Sequence, residues 1–257
     1  MRTSLISSAY LDFYKKKQPI TVLKHFNKIK EVPMNSQNFG YHLSVASVFS
    51  SMIEGNPIDL DSYLKFDTSG MNTKSKSFQE IQDLIAAYTF ASKSSLNKKN
   101  IFKAHDILTN NLILEEKYRG KLRDKNVYVY GGGVKIYEGA YTSDLSDEVN
   151  LFFKDISILI DREMTMNEVF YCASMIHLVF VKIHPFADGN GRTARLLEKW
   201  FLAEKLGKKA WFIDSEKLYQ TRLYAYYKNL DIGATYMTVN YDLCVPFLLM
   251  LPMALTM

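Results

Sequence analysis

The run TMNEVFYCASMIHLVFVKI, Thr165 to Ile183, constrains the fold more than any other stretch of the chain. Thr165 and Glu168 have the spacing of a capping box, which predicts a helix start there. The near-continuous apolar character that follows leaves no face for water, so the helix has to run through the middle of a core. It has to stop at its end, because Pro185 pushes His184 out of helical backbone. The other segments supply helices to wrap it. LSVASVFSSMIEG carries Leu43, Ala46, Phe49, Met52 and Ile53 near a helical period, and Gly55 suits the left-handed position that closes a helix. SFQEIQDLIAAYTFA and NIFKAHDILTNNLI are amphipathic in the same way. A further helix is expected from Asn190 or Gly191 through LLEKWFLAEKL to Gly207. VYVYGGGVKIYEGAY differs. It alternates, is rich in Val and Tyr, and is interrupted by Gly131, Gly132 and Gly133, which predicts a β-hairpin in an otherwise helical protein.

Composition narrows the function classes. At 257 residues, 47% hydrophobic and 23% charged, the chain has the make-up of one large globular domain or two small ones. The net charge of +5 is mild and the longest basic run is Lys15 to Lys17, read as a solvated face, so no nucleic-acid partner is expected. Cys172 and Cys244 lack metal spacing and read as reduced core thiols. The first residues hold one arginine and a short apolar stretch broken by Asp12, a poor signal peptide. The tail CVPFLLMLPMALTM is too short to span a bilayer and contains Pro246 and Pro252, so it is expected to pack on the domain or on a partner subunit. The expectation is a cytoplasmic protein without a membrane partner.

The chemistry concentrates in HPFADGNGRTAR, His184 to Arg195. His184 ends the apolar helix and Phe186 is the natural anchor of the loop. Gly189 and Gly191 flank Asn190 and let backbone N–H groups converge on an anion, to which the next helix start adds its own. Arg192 and Arg195 share one face and oppose the helix dipole, which a bound polyphosphate would offset. Asp188 beside phosphates suits Mg²⁺, and His184 suits proton abstraction from an incoming nucleophile. His177, one heptad earlier, reads as a core histidine.

This stretch resembles the Fic family signature, HxFx(D/E)GNGRxxR, at every specified position, and the resemblance extends over about residues 75 to 230. It implies an all-α Fic fold: a helical bundle around a central helix-loop-helix with a small β-hairpin flap. It also implies transfer of AMP from ATP to a Ser, Thr or Tyr hydroxyl of a target protein, with release of pyrophosphate. His184 would be the general base and Asp188 the Mg²⁺ ligand. Gly189, Asn190 and Gly191 would form the anion hole, and Arg192 and Arg195 would bind the outer phosphates. The hairpin from about Val127 to Tyr141 would be the flap that aligns the target by main-chain pairing, with Gly131, Gly132 and Gly133 at its turn. Tyr227 and Leu230 are the positions expected against adenine, and Ala234 stands where some relatives have an Asn.

SSMIEG matches the family's inhibitory pattern (S/T)xxxE(G/N) with Ser50, Glu54 and Gly55. Ser47, Ser50, Ser51 and Glu54 form one polar stripe at helical spacing. The domain layout expected is an N-terminal helical region over 1–75 with the inhibitory helix at about 41–55, a Fic core over 76–230, and a helical tail over 231–257. The expected partners are ATP and a target protein, with a second copy of the chain as a candidate. Alternatives within the fold are transfer of UMP, phosphate or phosphocholine, or removal of AMP at the same site. An alternative of another class is a nucleotide- or peptide-binding module without turnover.

Overall fold

The computed structural model describes residues 4–30, 32–68 and 75–257. Arg2, the one arginine of the stretch judged a poor signal peptide, and the residues 69–74 before the expected boundary lie outside the described residues. In chain order the described elements begin with α1 (Leu11–Lys17), α2 (Val22–Lys28), α3 (Gln37–Ile53), α4 (Leu60–Thr68), α5 (Lys76–Ser92) and α6 (Lys98–Leu108). The hairpin β1 (Tyr128–Gly131) and β2 (Val134–Glu138) follows, then α7 (Thr142–Asp161), α8 (Met166–Ile183) and α9 (Asn190–Leu206). The chain closes with α10 (Ser215–Thr221), α11 (Leu223–Leu230), α12 (Val245–Leu248) and α13 (Met250–Met253).

α8 is the central helix. Its capping box is complete: Glu168 N–H donates to Thr165 Oγ1 and Thr165 N–H donates to Glu168 Oε2 at 2.7 Å. From Val169 to Ile183 every side chain but that of Val181 is buried. Among the described residues it is the one helix long and apolar enough to cross a membrane, and most of it lies inside the protein. α9 is its principal neighbour, and α7, α12 and the N-terminal helices cover its other sides.

α3 begins at Gln37, earlier than the apolar pattern indicates, because Ser36 accepts from Phe39 N–H and caps it. It packs against α5 and α10, so the serine stripe does not face water: Ser47, Ser50 and Ser51 are fully buried. Val48, Tyr63, Phe78 and Ile81 make a second, small core between α3, α4 and α5.

In the hairpin, Gly132 and Gly133 both take positive φ, at 57° and 81°, the signature of a two-residue turn whose twist matches the strands. The far end of β2 is anchored: Glu138 N–H donates to Ala234 O at 3.0 Å. Tyr130, Val134 and Ile136 stay exposed along the strands. The C-terminal segment packs inward, with the Phe247 ring 5.1 Å from that of His177. Cys172 and Cys244 are free and buried, and burial pushes both thiols up to about 12.

Candidate active site

The loop between α8 and α9 is closed by its own side chains. Asn190 Oδ1 accepts from Phe186 N–H and Asn190 Nδ2 donates to Phe186 O, both at 2.9 Å. Phe186 is fully buried and stacks on His105 of α6, centroids 3.6 Å apart. Gly120 N–H donates to His105 Nδ1, so Nε2 carries the proton and donates to Asp188 O, each at 2.9 Å. Burial lowers the His105 pKa to about 4 against the pull of the Asp188 carbonyl.

Pro185 keeps His184 out of right-handed helical backbone, as expected, and α8 ends at Ile183. His184 sits in the left-handed region at φ 55° and ψ 60°, the one non-glycine to do so among the described residues. His184 Nδ1 lies 3.1 Å from Val181 O. A carbonyl only accepts, so the proton is on Nδ1 and Nε2 keeps its lone pair. Burial lowers the His184 pKa to about 4; the Val181 bond, Glu54 and Asp188 act the other way, and Arg123 adds to the lowering.

Both histidines resist protonation in the fold and take it up near 6.5 when unfolded. Their neutral-state stability is therefore present above about 6.5 and lost as pH falls from there toward 4. The thermal midpoint is expected to fall across that window, and His105→Gln is expected to flatten the fall. An unchanged slope would mean that His105 is not held neutral.

The two arginines at the start of α9, Arg192 and Arg195, are buried, 5% and 1% exposed, and each meets a carboxylate. Arg195 Nη2 donates to Glu54 Oε1 at 2.7 Å and to Ser50 O at 2.9 Å, Nε donates to Ser50 Oγ at 2.9 Å, and Nη1 donates to Tyr226 Oη at 3.2 Å. Burial pushes the Glu54 carboxyl up, but Arg195 and Arg192 outweigh it and hold the group below the usual range. A Cβ on Gly191 would collide with Glu54 Oε1, so the carboxylate lies directly on the glycine expected to cradle phosphate. Gly55, at φ 91°, ends the helix behind it.

Arg192 Nη1 donates to Glu80 Oε1 of α5, which also accepts from Ser51 Oγ at 2.9 Å. Arg192 Nη2 reaches Asp188 Oδ1 at 3.3 Å, and its buried Nε–H has no acceptor among the described residues. Asp188 is exposed and its Oδ1 also accepts from Gly189 N–H at 2.6 Å. The first N–H groups of α9 have no partner within the helix and open onto the same space.

The expected site residues therefore gather at one place: His184, Asp188 and Gly189 on the loop and Asn190, Gly191, Arg192 and Arg195 in the first turns of α9, with Ser50 and Glu54 against them. Tyr227 stands beside them, donating from its hydroxyl to Ile53 O at 2.9 Å. Leu230 is buried. Val127 and the turn glycines stand apart on the hairpin, joined to the loop through its base, where Gly139 N–H donates to Val127 O and Ala140 N–H to Ile183 O.

Four neighbours have no motif to announce them: Glu80, Arg123, His105 and Tyr226. His177 is a core histidine, with Nδ1 2.9 Å from Glu198 Oε2, but its Nε2 lies 3.0 Å from Tyr226 Oη, which holds Arg195.

Comparison with known proteins follows this geometry. Residues 95–202 match the family model described as Fic/DOC family. The protein adenylyltransferase fic-1 of Caenorhabditis elegans is 33% identical over 159 residues, 56% of this chain and 28% of that protein. The protein adenylyltransferase Fic of Aedes aegypti is 33% identical over 152 residues, 56% of this chain and 29% of that protein. The chain thus spans less than a third of the length of these relatives. Among solved structures, a Fic family protein from Desulfovibrio desulfuricans G20 superposes with a TM-score of 0.73 at 17% identity, over 99% of this chain and 74% of that one. A fragment of C. elegans Fic-1, residues 134 to 508, gives 0.63 at 19% identity, over 94% and 68%. The helical bundle with its small hairpin has the fold of these Fic-family structures, and residues 95–202 match the Fic/DOC family model.

Proposed function

We propose that the protein is a self-inhibited protein adenylyltransferase, which transfers AMP from ATP to a hydroxyl side chain of a target protein. The observation that carries this is His184. Its Nδ1–H is engaged by a backbone carbonyl, and its Nε2 has no hydrogen-bond partner among the described residues, on the loop that leads into Arg192 and Arg195 of α9. Nε2 takes the proton of the attacking Ser, Thr or Tyr hydroxyl, the oxygen bonds to the α-phosphorus, and pyrophosphate leaves. Arg192, Arg195 and the N–H groups of the Gly189–Gly191 turn hold the outer phosphates in line. Arg192 Nε–H, buried without an acceptor, suits a phosphate oxygen. Tyr227 and Leu230 border the adenine in this reading.

Among the described residues no three ligating side chains gather at a metal-binding spacing. Asp188, exposed beside the Gly189–Gly191 turn, would be the protein ligand of Mg²⁺, with phosphates and water completing its shell. The ion would neutralise charge on the phosphates. Asp188→Ala is expected to lose Mg²⁺-dependent turnover, by about 100-fold or more, measured as labelled AMP incorporated at saturating ATP. Bulky replacements at Gly131 to Gly133 are expected to impair target modification more than ATP binding. A collapse of ATP affinity in those variants would make the turn part of the nucleotide site.

Glu54, Ser50 and Gly55 act as the brake in this proposal, and the N-terminal region, the core from 76 to 230 and the tail are its working parts. A cytoplasmic setting is part of the same proposal. The deciding experiment is auto-modification with labelled ATP, UTP and GTP, on wild type and on Glu54→Gly. Label from ATP alone supports adenylylation; preference for another nucleotide replaces it with a different transfer.

A further inference from the structure

Arg123 lies between α6 and β1, is 5% exposed, and faces no carboxylate within ion-pairing distance among the described residues. A buried cation without a counter-charge is costly, so its position needs a compensating interaction. Its guanidinium is committed to main-chain oxygens. Nε donates to His184 O at 2.8 Å, Nη1 donates to Lys125 O at 2.8 Å, and Nη2 donates to Ala140 O. Its own backbone N–H donates to Pro185 O at 3.1 Å.

These bonds belong to a larger set. The last carbonyls of a helix have no partner within it and carry the negative end of its dipole. At the end of α8 the carbonyls from 181 to 185 are all satisfied. Val181 O takes His184 Nδ1, Lys182 O takes the Tyr137 hydroxyl at 2.5 Å, and Ile183 O takes Ala140 N–H at 3.1 Å. His184 O and Pro185 O take Arg123. Four of these five donors come from the stretch 123–140 that carries the hairpin. The helix end supplies the negative potential that an acidic side chain would otherwise give Arg123. A Cβ on Gly139 would come within 2.9 Å of His184 Cβ and 3.1 Å of Arg123 Nη2, so the hairpin base packs directly on the histidine. The residue so fastened is the left-handed His184, a conformation that surrounding structure must impose.

We propose that Arg123 is a positioning residue: its guanidinium ties the left-handed turn of His184 to the base of the hairpin, so that imidazole and strand edge are set by one side chain. This rests on the assignment of His184 as base and of the hairpin as the surface that aligns the target. Arg123 does not touch substrate. It fixes where Nε2 points relative to the strand that presents the hydroxyl.

The test uses the Glu54→Gly protein as parent, with Arg123→Ala, Arg123→Lys and Tyr137→Phe added singly and His184→Ala as control. Labelled AMP incorporation gives kcat and KM for ATP, and calorimetry gives ATP affinity. Arg123→Ala is expected to lower kcat by about tenfold or more while leaving the KM for ATP within about twofold. Guanidinium added below denaturing concentration should restore part of the rate. Arg123→Lys keeps the charge but not the fork and should remain impaired. Nitrogen-15 spectra of histidine-labelled protein give a readout independent of activity: His184 should lose its single Nδ1–H signature in Arg123→Ala. Full kcat in both Arg123 variants, or an unchanged His184 signal, overturns the proposal. If Arg123→Ala does not fold, Arg123→Lys and Tyr137→Phe decide by the same measures. Activity surviving in His184→Ala would instead remove the base assignment, which separates the two failures.

Discussion

His184→Ala is expected to abolish AMP transfer, by at least about 100-fold, while ATP binding stays within about twofold of wild type. A general base lowers the barrier without adding to ground-state affinity, and the groups proposed for phosphate lie elsewhere on the loop. The turn itself should survive the substitution, because Arg123 and Asn190 hold its backbone from outside the imidazole. Alanine is strained at φ 55°, so His184→Asn, which tolerates the left-handed region, serves as a second variant. Both are made in the Glu54→Gly protein, so that the proposed brake does not mask the loss. Labelled AMP incorporation and calorimetry on the same samples check the result. Activity within tenfold of the parent in both variants would remove the mechanism.

The second large effect concerns Glu54. It sits at the C-cap of α3, past the last helical residue, and Gly55 keeps the left-handed closure, so Glu54→Gly should leave the helix intact. It removes the carboxylate from above Gly191 and from Arg195. Arg195 does not then fall loose, because Ser50 and Tyr226 still hold three of its N–H groups. The guanidinium stays where an outer phosphate can reach it. Auto-modification is expected to rise by about 100-fold, the order that a misplacement of about 1 Å costs in rate. Arg195→Ala also breaks the pair but should remain inactive, since the phosphate partner is gone; Arg195→Lys checks that a folding defect is not the cause. Equal rates in Glu54→Gly and wild type would reduce SSMIEG to a helix end.

What could be read from the sequence, and what could not, divides by distance along the chain. The start of α8, its apolar length, the stop before Pro185 and the start of α9 rest on signals within a few residues, and all stand in the structure. Glu54 was legible because a six-residue pattern carries it. Glu80 was not: its partner Arg192 lies 112 positions away, and a glutamate on an amphipathic helix normally faces water. Arg123 meets His184 across 61 positions and uses carbonyls, which no sequence pattern displays. His184 left the helix as its local rule required, but no sequence signal announced the left-handed region that it takes.

The Glu54–Arg195 pair joins residues 141 positions apart, with the glutamate on the earlier side. A ribosome adding about 5–20 residues per second makes residue 54 roughly 7–28 seconds before residue 195. The proposed brake is therefore synthesised before the loop that it restrains. α3 can meet α9 as the nascent chain first folds, and no interval is required in which a finished site faces the cell's ATP without its restraint. The reverse order, with the glutamate downstream of the arginines, would leave such an interval in the life of every molecule made.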